Sequence, residues 1–230
     1  MSEQTELLPD PLPAEPLALA ARWLEDAWAA GRQPNPNAMV LATASPDGRP
    51  SARVVLAKDL VAQPGYVVFY TNYLSAKGRE LKRNPRAAAV MHWDALQRQV
   101  RIEGAVVEGP PQESDAYFAS RAWDKRIGAW ASAQSAPVAS RAALEAAVAA
   151  AARRFGAPVP GTPEAEATRE VSVPRPPHWG GFRLWADAVE LWVEGGHSRI
   201  HDRARWTRTL KAAPGGGFEA GPWAVTRLQP

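Results

Sequence analysis

The chain has 230 residues, 46% hydrophobic and 22% charged, which is the balance of an ordinary globular protein with length enough for a sizeable core; a largely disordered or fibrous chain is argued against. Its 27 basic and 24 acidic side chains leave a formal charge of +3, too mild for a nucleic-acid binder but compatible with small anionic ligands. Having no cysteine excludes disulfides, thiolate nucleophiles, iron–sulfur clusters and cysteine-ligated zinc, and the four histidines (His92, His178, His197, His201) form no HExxH pair, so no metal site is expected.

Residues 1–14 read as a flexible arm, acidic and proline-rich, without the basic start and apolar core of an export signal. From Pro16, the spacing of Leu17, Ala20, Leu24, Ala27 and Trp28 predicts a helix, with Gly31 as its stop. The runs AMVLATA and SARVVLA flank Asp47-Gly48 and predict a hairpin, and YVVFYT at 66–71 predicts a third strand. Ser75 is placed to cap a short helix ending near Asn84, because Pro85 disfavours helical geometry before it. Strands are expected at 87–93 and 98–108, the latter alternating Val100 and Ile102 with Gln99, Arg101 and Glu103.

The middle reads as helical near 112–122, 126–131 and 139–155, and the proline-rich stretch 156–178 as a surface loop. Strands are expected again at 180–185, 188–193, 199–208 and 222–228, with the glycines at 215–217 turning the last hairpin. Strands pairing with near neighbours around a helical middle predict one α+β domain over 15–230, built on an antiparallel barrel. No GxGxxG or GxxxxGK[ST] motif supports a Rossmann or P-loop site. The longest greasy stretch, Ala146 to Ala152, falls far short of the roughly 20 residues a span needs, so no membrane partner and a cytoplasmic location are expected.

The densest polar constellation runs from Glu190 to Arg203. If 199–203 is extended, Arg199, His201 and Arg203 share one face with Ile200 and Asp202 opposite, either as a cationic strip for a planar anionic ligand or as a solvated strand face. Tyr117 and Arg121, four apart on a predicted helix, are neighbours that suit a phosphate or a simple surface contact. Arg53 and Lys58 are the two cations of an otherwise apolar strand, and strict alternation puts them on opposite faces. Gln134 and Ser135 lie between helices and say little alone.

Together these segments resemble the pyridoxamine 5′-phosphate oxidase family. The resemblance runs from about Pro16 to Pro230 and is most specific at Glu190, Trp192 and R199-I-H-D-R203. Supporting it are R53-V-V-L-A-K58, Y70-T-N, R98-Q-V, Y117-F-A-S-R121, I127-G-A-W130, Q134-S135 and W179-G-G-F182. It implies an FMN-binding split β-barrel, completed by strands in 180–230, and a homodimer with FMN at its interface. It further implies oxidation of pyridoxamine 5′-phosphate or pyridoxine 5′-phosphate to pyridoxal 5′-phosphate, with O₂ as acceptor, hydrogen peroxide as product and ammonia released from the amine. The FMN contacts it implies are Arg53, Val54, Val55, Leu56, Ala57, Lys58, Tyr70, Thr71, Lys77, Gln99, Gln134, Ser135, Trp192 and Arg203. Those for substrate are Lys58, Tyr117, Arg121, Lys125, Arg199, Ile200 and His201, with Arg199 and His201 as the catalytic pair. Arg53 and Lys58 would then serve different phosphates.

The chain departs from the family pattern at Ala76, where an arginine is usual, and at Lys125, where a serine is usual. It also carries one extra residue between Trp192 and Arg199 and lacks the family's basic N-terminal stretch. Two other readings are a related FMN oxidase of the phenazine-biosynthesis type and a non-catalytic split barrel that binds flavin or vitamin B6 phosphate.

Overall fold

The computed structural model describes residues 6–195 and 200–230. These fall into two compact units, Met1–Phe69 with Arg83–Val107 and Arg183–Pro230, and Tyr70–Lys82 with Glu108–Phe182.

The first unit is a helix on an antiparallel sheet. Helix α1 (Pro16–Ala30) starts on proline and buries Leu17, Ala20, Trp23 and Ala27; Gly31 ends it in the left-handed region at φ 59°, its N–H returning to Trp28 O. Strands β1 (Ala38–Ala44) and β2 (Pro50–Leu56) pair around the Asp47-Gly48 turn, with Leu41 opposite Arg53 and Val40 opposite Val54. A short β3 (Asp59–Val61), not foreseen in the sequence, pairs with β4 (Tyr66–Asn72). β5 (Arg86–Trp93), β6 (Arg98–Glu108), β7 (Trp179–Val193), β8 (Asp202–Thr207) and β11 (Ala224–Leu228) complete the path β11-β8-β7-β6-β5-β1-β2. One face buries Leu41, Met91, Ile102, Leu191 and Trp206. The other carries Val54, Val40 and Val90 in register at one end and Arg101, Glu190 and Arg205 towards the other.

Two strand expectations are corrected. The runs expected at 180–185 and 188–193 form one continuous strand, within which Asp187 pairs with Arg86 Nη2 at 2.8 Å. The strand crosses β6 at Gly104, where a Cβ would sit 1.7 Å from Trp185 O, so glycine permits the contact. The glycines at 215–217 do not turn the β8–β11 hairpin. They close a separate small one between β9 (Leu210–Ala212) and β10 (Phe218–Ala220), while β8 and β11 pair around it.

The second unit contains α2 (Ala76–Arg83) up to Lys82, α3 (Pro111–Ala119), α4 (Trp123–Ala131), α5 (Arg141–Arg154) and a short α6 (Pro163–Ala167). Its core joins Trp123, Ile127, Ala151 and Ala152 to Ala165 and Val173. The last two lie within 156–178, so that segment packs inward at these points. Trp123 Nε1 donates to Thr168 O at 3.1 Å and Trp130 Nε1 to Pro174 O at 2.7 Å, which fixes its backbone.

The same device recurs in the first unit. Trp93 Nε1 donates to Pro36 O and Trp206 Nε1 to Pro13 O, each at 2.8 Å. With 10 tryptophans beside 22 prolines, indole N–H groups satisfy carbonyls of segments whose prolines cannot join a ladder. Residues 6–13 have no regular structure, yet Leu8 is buried and its N–H donates to Asp202 Oδ2 at 2.9 Å. Among the described residues no helix is long and apolar enough to cross a membrane.

Candidate active site

In the first unit Gln99, Trp192 and Arg203 lie on the outer sheet face. Trp192 and Arg203 are register partners on β7 and β8, and the His201 ring lies 4.8 Å from the Trp192 ring. His201 Nδ1 accepts the Gly195 N–H at 3.2 Å, so the neutral ring in this arrangement carries its proton on Nε2. Only glycine fits at 195, since a Cβ there would meet Ile200 O at 1.7 Å. Ile200 is 68% exposed, and Arg199 lies outside the described residues.

Arg203 donates through Nη2 to Glu190 Oε1 at 2.9 Å and through Nη1 to Gln229 O at 3.0 Å, while its buried Nε has no hydrogen-bond partner. Gln99 is half-buried on the same face of β6 as Arg101. Arg53 sits on the other face of β2, donating to Leu41 O at 3.1 Å and Thr43 Oγ1 at 2.5 Å and bonded to Ser51. Val54 points the opposite way at 66% exposure, Val55 and Leu56 are half-buried, and Ala57 is buried. The block 53–58 therefore does not present one surface. Lys58 lies past the end of β2 with its N–H on Val68 O and its side chain exposed.

Two clusters form in the second unit. Lys77 is 9% exposed, and its ammonium donates to Gln134 Oε1 at 2.9 Å, Thr71 Oγ1 at 3.2 Å and Ser75 Oγ at 3.4 Å. Ser135, at φ 71°, accepts the Ala76 N–H, which brings Thr71, Lys77, Gln134 and Ser135 together at the start of α2. In the second cluster Tyr70 stacks on Tyr117 at 4.1 Å and on Trp179 at 5.4 Å. Gly181 makes room for this stack, since a Cβ would meet Tyr70 Cε1 at 2.9 Å.

The Arg121 guanidinium lies 4.9 Å from the Trp179 ring centroid, and its buried Nη1 has no hydrogen-bond partner. Burial pulls its pKa below the ordinary arginine value, opposed by Tyr117 and Asp124. Lys125 is exposed on α4, and the neighbouring Arg126 is the buried cation, paired with Glu170.

Trp179, Ser75 and Glu190 complete these clusters but are missing from the expected site residues. Trp179 and Glu190 do stand in the quoted motifs; what sequence lacks is any sign that Trp179 stacks on residues 62 and 109 positions earlier. Among the described residues no group of histidines and carboxylates could hold a metal ion. Cations with unused buried donors, beside hydroxyl, amide and flat aromatic groups, do fit a planar phosphate monoester such as FMN or a pyridoxine phosphate.

Fold and donor set define a split barrel of the FMN-binding class. A solved FMN-binding protein related to pyridoxamine 5′-phosphate oxidase, from Nostoc punctiforme, has this fold with TM-score 0.66 and 16% identity, covering 95% of this chain and all of that one. A family model described as pyridoxamine 5′-phosphate oxidase matches residues 24–154, and one described as the pyridoxine 5′-phosphate oxidase C-terminal dimerisation region matches 179–230. The chain belongs to the pyridoxamine 5′-phosphate oxidase family, a family of FMN-binding oxidoreductases.

The pyridoxine/pyridoxamine 5′-phosphate oxidase of Burkholderia orbicola is 48% identical over 216 residues, 94% of this chain and 89% of that one. Its counterpart in Paraburkholderia phymatum is 50% identical over 209 residues, 91% and 86% of the two chains. The crystal structure of PhzG from Burkholderia lata, in complex with tetrahydrophenazine-1-carboxylic acid, superposes with TM-score 0.80 at 31% identity, covering 99% of both chains.

Proposed function

We propose that this chain binds FMN as a cytoplasmic homodimer and oxidises pyridoxamine 5′-phosphate and pyridoxine 5′-phosphate to pyridoxal 5′-phosphate. O₂ is the acceptor, hydrogen peroxide is released, and the amine also yields ammonia. The observation that carries the substrate class is Arg121, whose buried Nη1 has no hydrogen-bond partner and whose guanidinium lies over Trp179, beside which Tyr117 stacks. A fixed guanidinium with an unused donor next to a phenol suits a phosphate. The relatives at 46–50% identity are named for these two substrates.

Contacts to FMN in the first unit fall to Arg53 through Lys58, Gln99, Trp192 and Arg203, and in the second to Tyr70, Thr71, Lys77, Gln134 and Ser135. Lys58, Tyr117, Arg121 and Lys125 meet the substrate phosphate. Bound FMN supplies the two-electron acceptor and the route to O₂. The protein's share is placement and proton handling. His201, with Nδ1 held by the Gly195 N–H, presents Nε2 to the substrate ring, and Arg199 and Ile200 join it there. A second copy covering the outer sheet face, where Val40 and Val54 are 44% and 66% exposed, puts FMN at the dimer interface.

The likeness to PhzG favours a second reading, an FMN oxidase acting on a reduced phenazine carboxylic acid. One experiment separates the two. Purified protein loaded with FMN is given pyridoxamine 5′-phosphate, pyridoxine 5′-phosphate or tetrahydrophenazine-1-carboxylic acid in air, and aldehyde, phenazine and peroxide are followed. Aldehyde and peroxide from the phosphates support the proposal. Turnover of the phenazine alone, or a colourless protein that stays inactive with added FMN, overturns it.

A further inference from the structure

Glu190 is 4% exposed, a carboxylate almost wholly removed from water on the outer face of β7. Its Oε1 accepts from Arg203 Nη2 at 2.9 Å; its Oε2 lies 3.2 Å from Arg101 Nη1 and 3.9 Å from Arg205 Nη1. Glu103 closes the network, at 2.6 Å from Arg101 Nη2 and 3.0 Å from Arg205 Nη2. Arg101, Arg203 and Arg205 against Glu103 and Glu190 leave one positive charge in excess. The Nε of Arg203 is buried and has no hydrogen-bond partner.

A carboxylate this buried loses its hydration and is tolerated where charge-assisted bonds replace it. Arg101 and Arg205 are bridged by Glu103 as well, whereas Arg203 has Glu190 as its ion-pair partner and a backbone carbonyl, Gln229 O, as its other acceptor. Glu190 therefore fixes the Arg203 fork through Nη2, which directs the remaining Nε–H edge. Resting on the FMN reading above, we propose that Glu190 is a positioning residue for the cofactor: it touches no ligand and sets the orientation in which Arg203 meets FMN.

Charge alone predicts the opposite sign. Removing a negative group beside an anion site strengthens the pull on FMN, whereas removing a positioning group weakens binding. In a double-mutant cycle, FMN dissociation constants are measured by quenching of flavin fluorescence on apoprotein for wild type, Glu190→Gln, Arg203→Gln and the double variant, with apoprotein melting temperatures recorded alongside. Glu190→Gln is expected to weaken FMN binding about tenfold. In the Arg203→Gln background the same change should leave binding unaltered or slightly tighter, because the group it positions is gone.

An equal loss in both backgrounds assigns Glu190 a general structural role and overturns the proposal, as does tighter binding in the single variant. If Glu190→Gln alone does not fold, Arg203→Gln and the charge-matched double variant still decide, since any further loss of affinity between them contradicts positioning. Wild-type apoprotein that leaves flavin fluorescence unquenched overturns the FMN reading itself.

Discussion

The Arg121 guanidinium lies over the Trp179 indole, its carbon 4.9 Å from the ring centroid, and Tyr117 stacks on that indole at 6.1 Å with its ring 10° from parallel. The indole holds the charge in place while Nη1 stays unused, so Arg121 is preorganised for an oxyanion. Replacing Arg121 with Gln should raise KM for pyridoxamine 5′-phosphate about 10- to 100-fold, the worth of a charged hydrogen bond, and leave FMN affinity unchanged. Steady-state kinetics with pyridoxamine 5′-phosphate beside flavin titration checks this, and an equal fall in flavin content would place Arg121 with the cofactor. Trp179→Leu, which keeps the charge and removes its platform, should raise the same KM by a smaller factor.

Lys77 is a second buried cation of that unit. Its ammonium donates to Thr71 Oγ1, Ser75 Oγ and Gln134 Oε1, oxygens that fix where the charge stands. Lys77→Met keeps the length and drops the charge. FMN binding should weaken at least about tenfold, with the apoprotein melting temperature recorded beside it. A lower melting temperature with intact FMN affinity would make Lys77 a structural residue.

Legibility in the sequence followed the range of the interaction. Gly31, the Asp47-Gly48 turn, Ser75 before α2 and the alternation of β6 are local, and each element stands where its pattern puts it. The continuity of β7 through Asp187 was not legible, since the partner Arg86 is 101 residues away, and the glycines at 215–217 misled because turn chemistry does not say which strands it joins. At the candidate site, the resemblance named Tyr117 and Arg121 by position. The stack that fixes them comes from Trp179, which no spacing rule connects to either. Trp185 and Trp223 bury indole N–H groups without a hydrogen-bond partner, so even the indole-to-carbonyl pattern does not account for every tryptophan.

Tyr73 gives the second unit a pH limit. Burial, and then the Glu108 charge, raise its phenol above the ordinary 10.0; Ser114 and Arg175 oppose the rise. The folded state thus holds the proton more tightly than the unfolded chain. That contribution is complete below pH 10 and is lost as pH climbs through the raised value. Tyr73 should ionise late in an absorbance titration, and Tyr73→Phe should remove that step and flatten the alkaline fall in melting temperature. An unchanged profile in Tyr73→Phe would assign the fall elsewhere.

Asp202 joins the N-terminal segment to the C-terminal strand. Its Oδ2 accepts the Leu8 N–H at 2.9 Å, its Oδ1 pairs with Arg227, and Arg227 Nη2 reaches Pro9 O at 3.1 Å. The ion pair is partly exposed, so Asp202→Asn should cost only about 1 kcal/mol. Its clearer effect is local: release of Leu8 should speed proteolysis between residues 6 and 13 without changing cleavage elsewhere. Uniformly faster cleavage would mean that the whole unit, rather than the segment, had loosened.

Val54 tests the dimer. Val40, Val54 and Val90 line up across β1, β2 and β5 on the face that also bears Arg101 and Glu190, and Val54 is 66% exposed. Covering a valine side chain contributes roughly 1.5–3 kcal/mol per copy, whereas covering a carboxylate there without a partner is strongly unfavourable. Val54 alternates with Arg53, so Val54→Asp leaves the Arg53 bonds to Leu41 O and Thr43 Oγ1 on the other side of the strand. The variant should be monomeric by light scattering and should lose FMN, while its monomer keeps the circular dichroism of the wild type. Val54→Ile should do neither. A monomer that still binds FMN as tightly as wild type would move the cofactor away from the dimer interface.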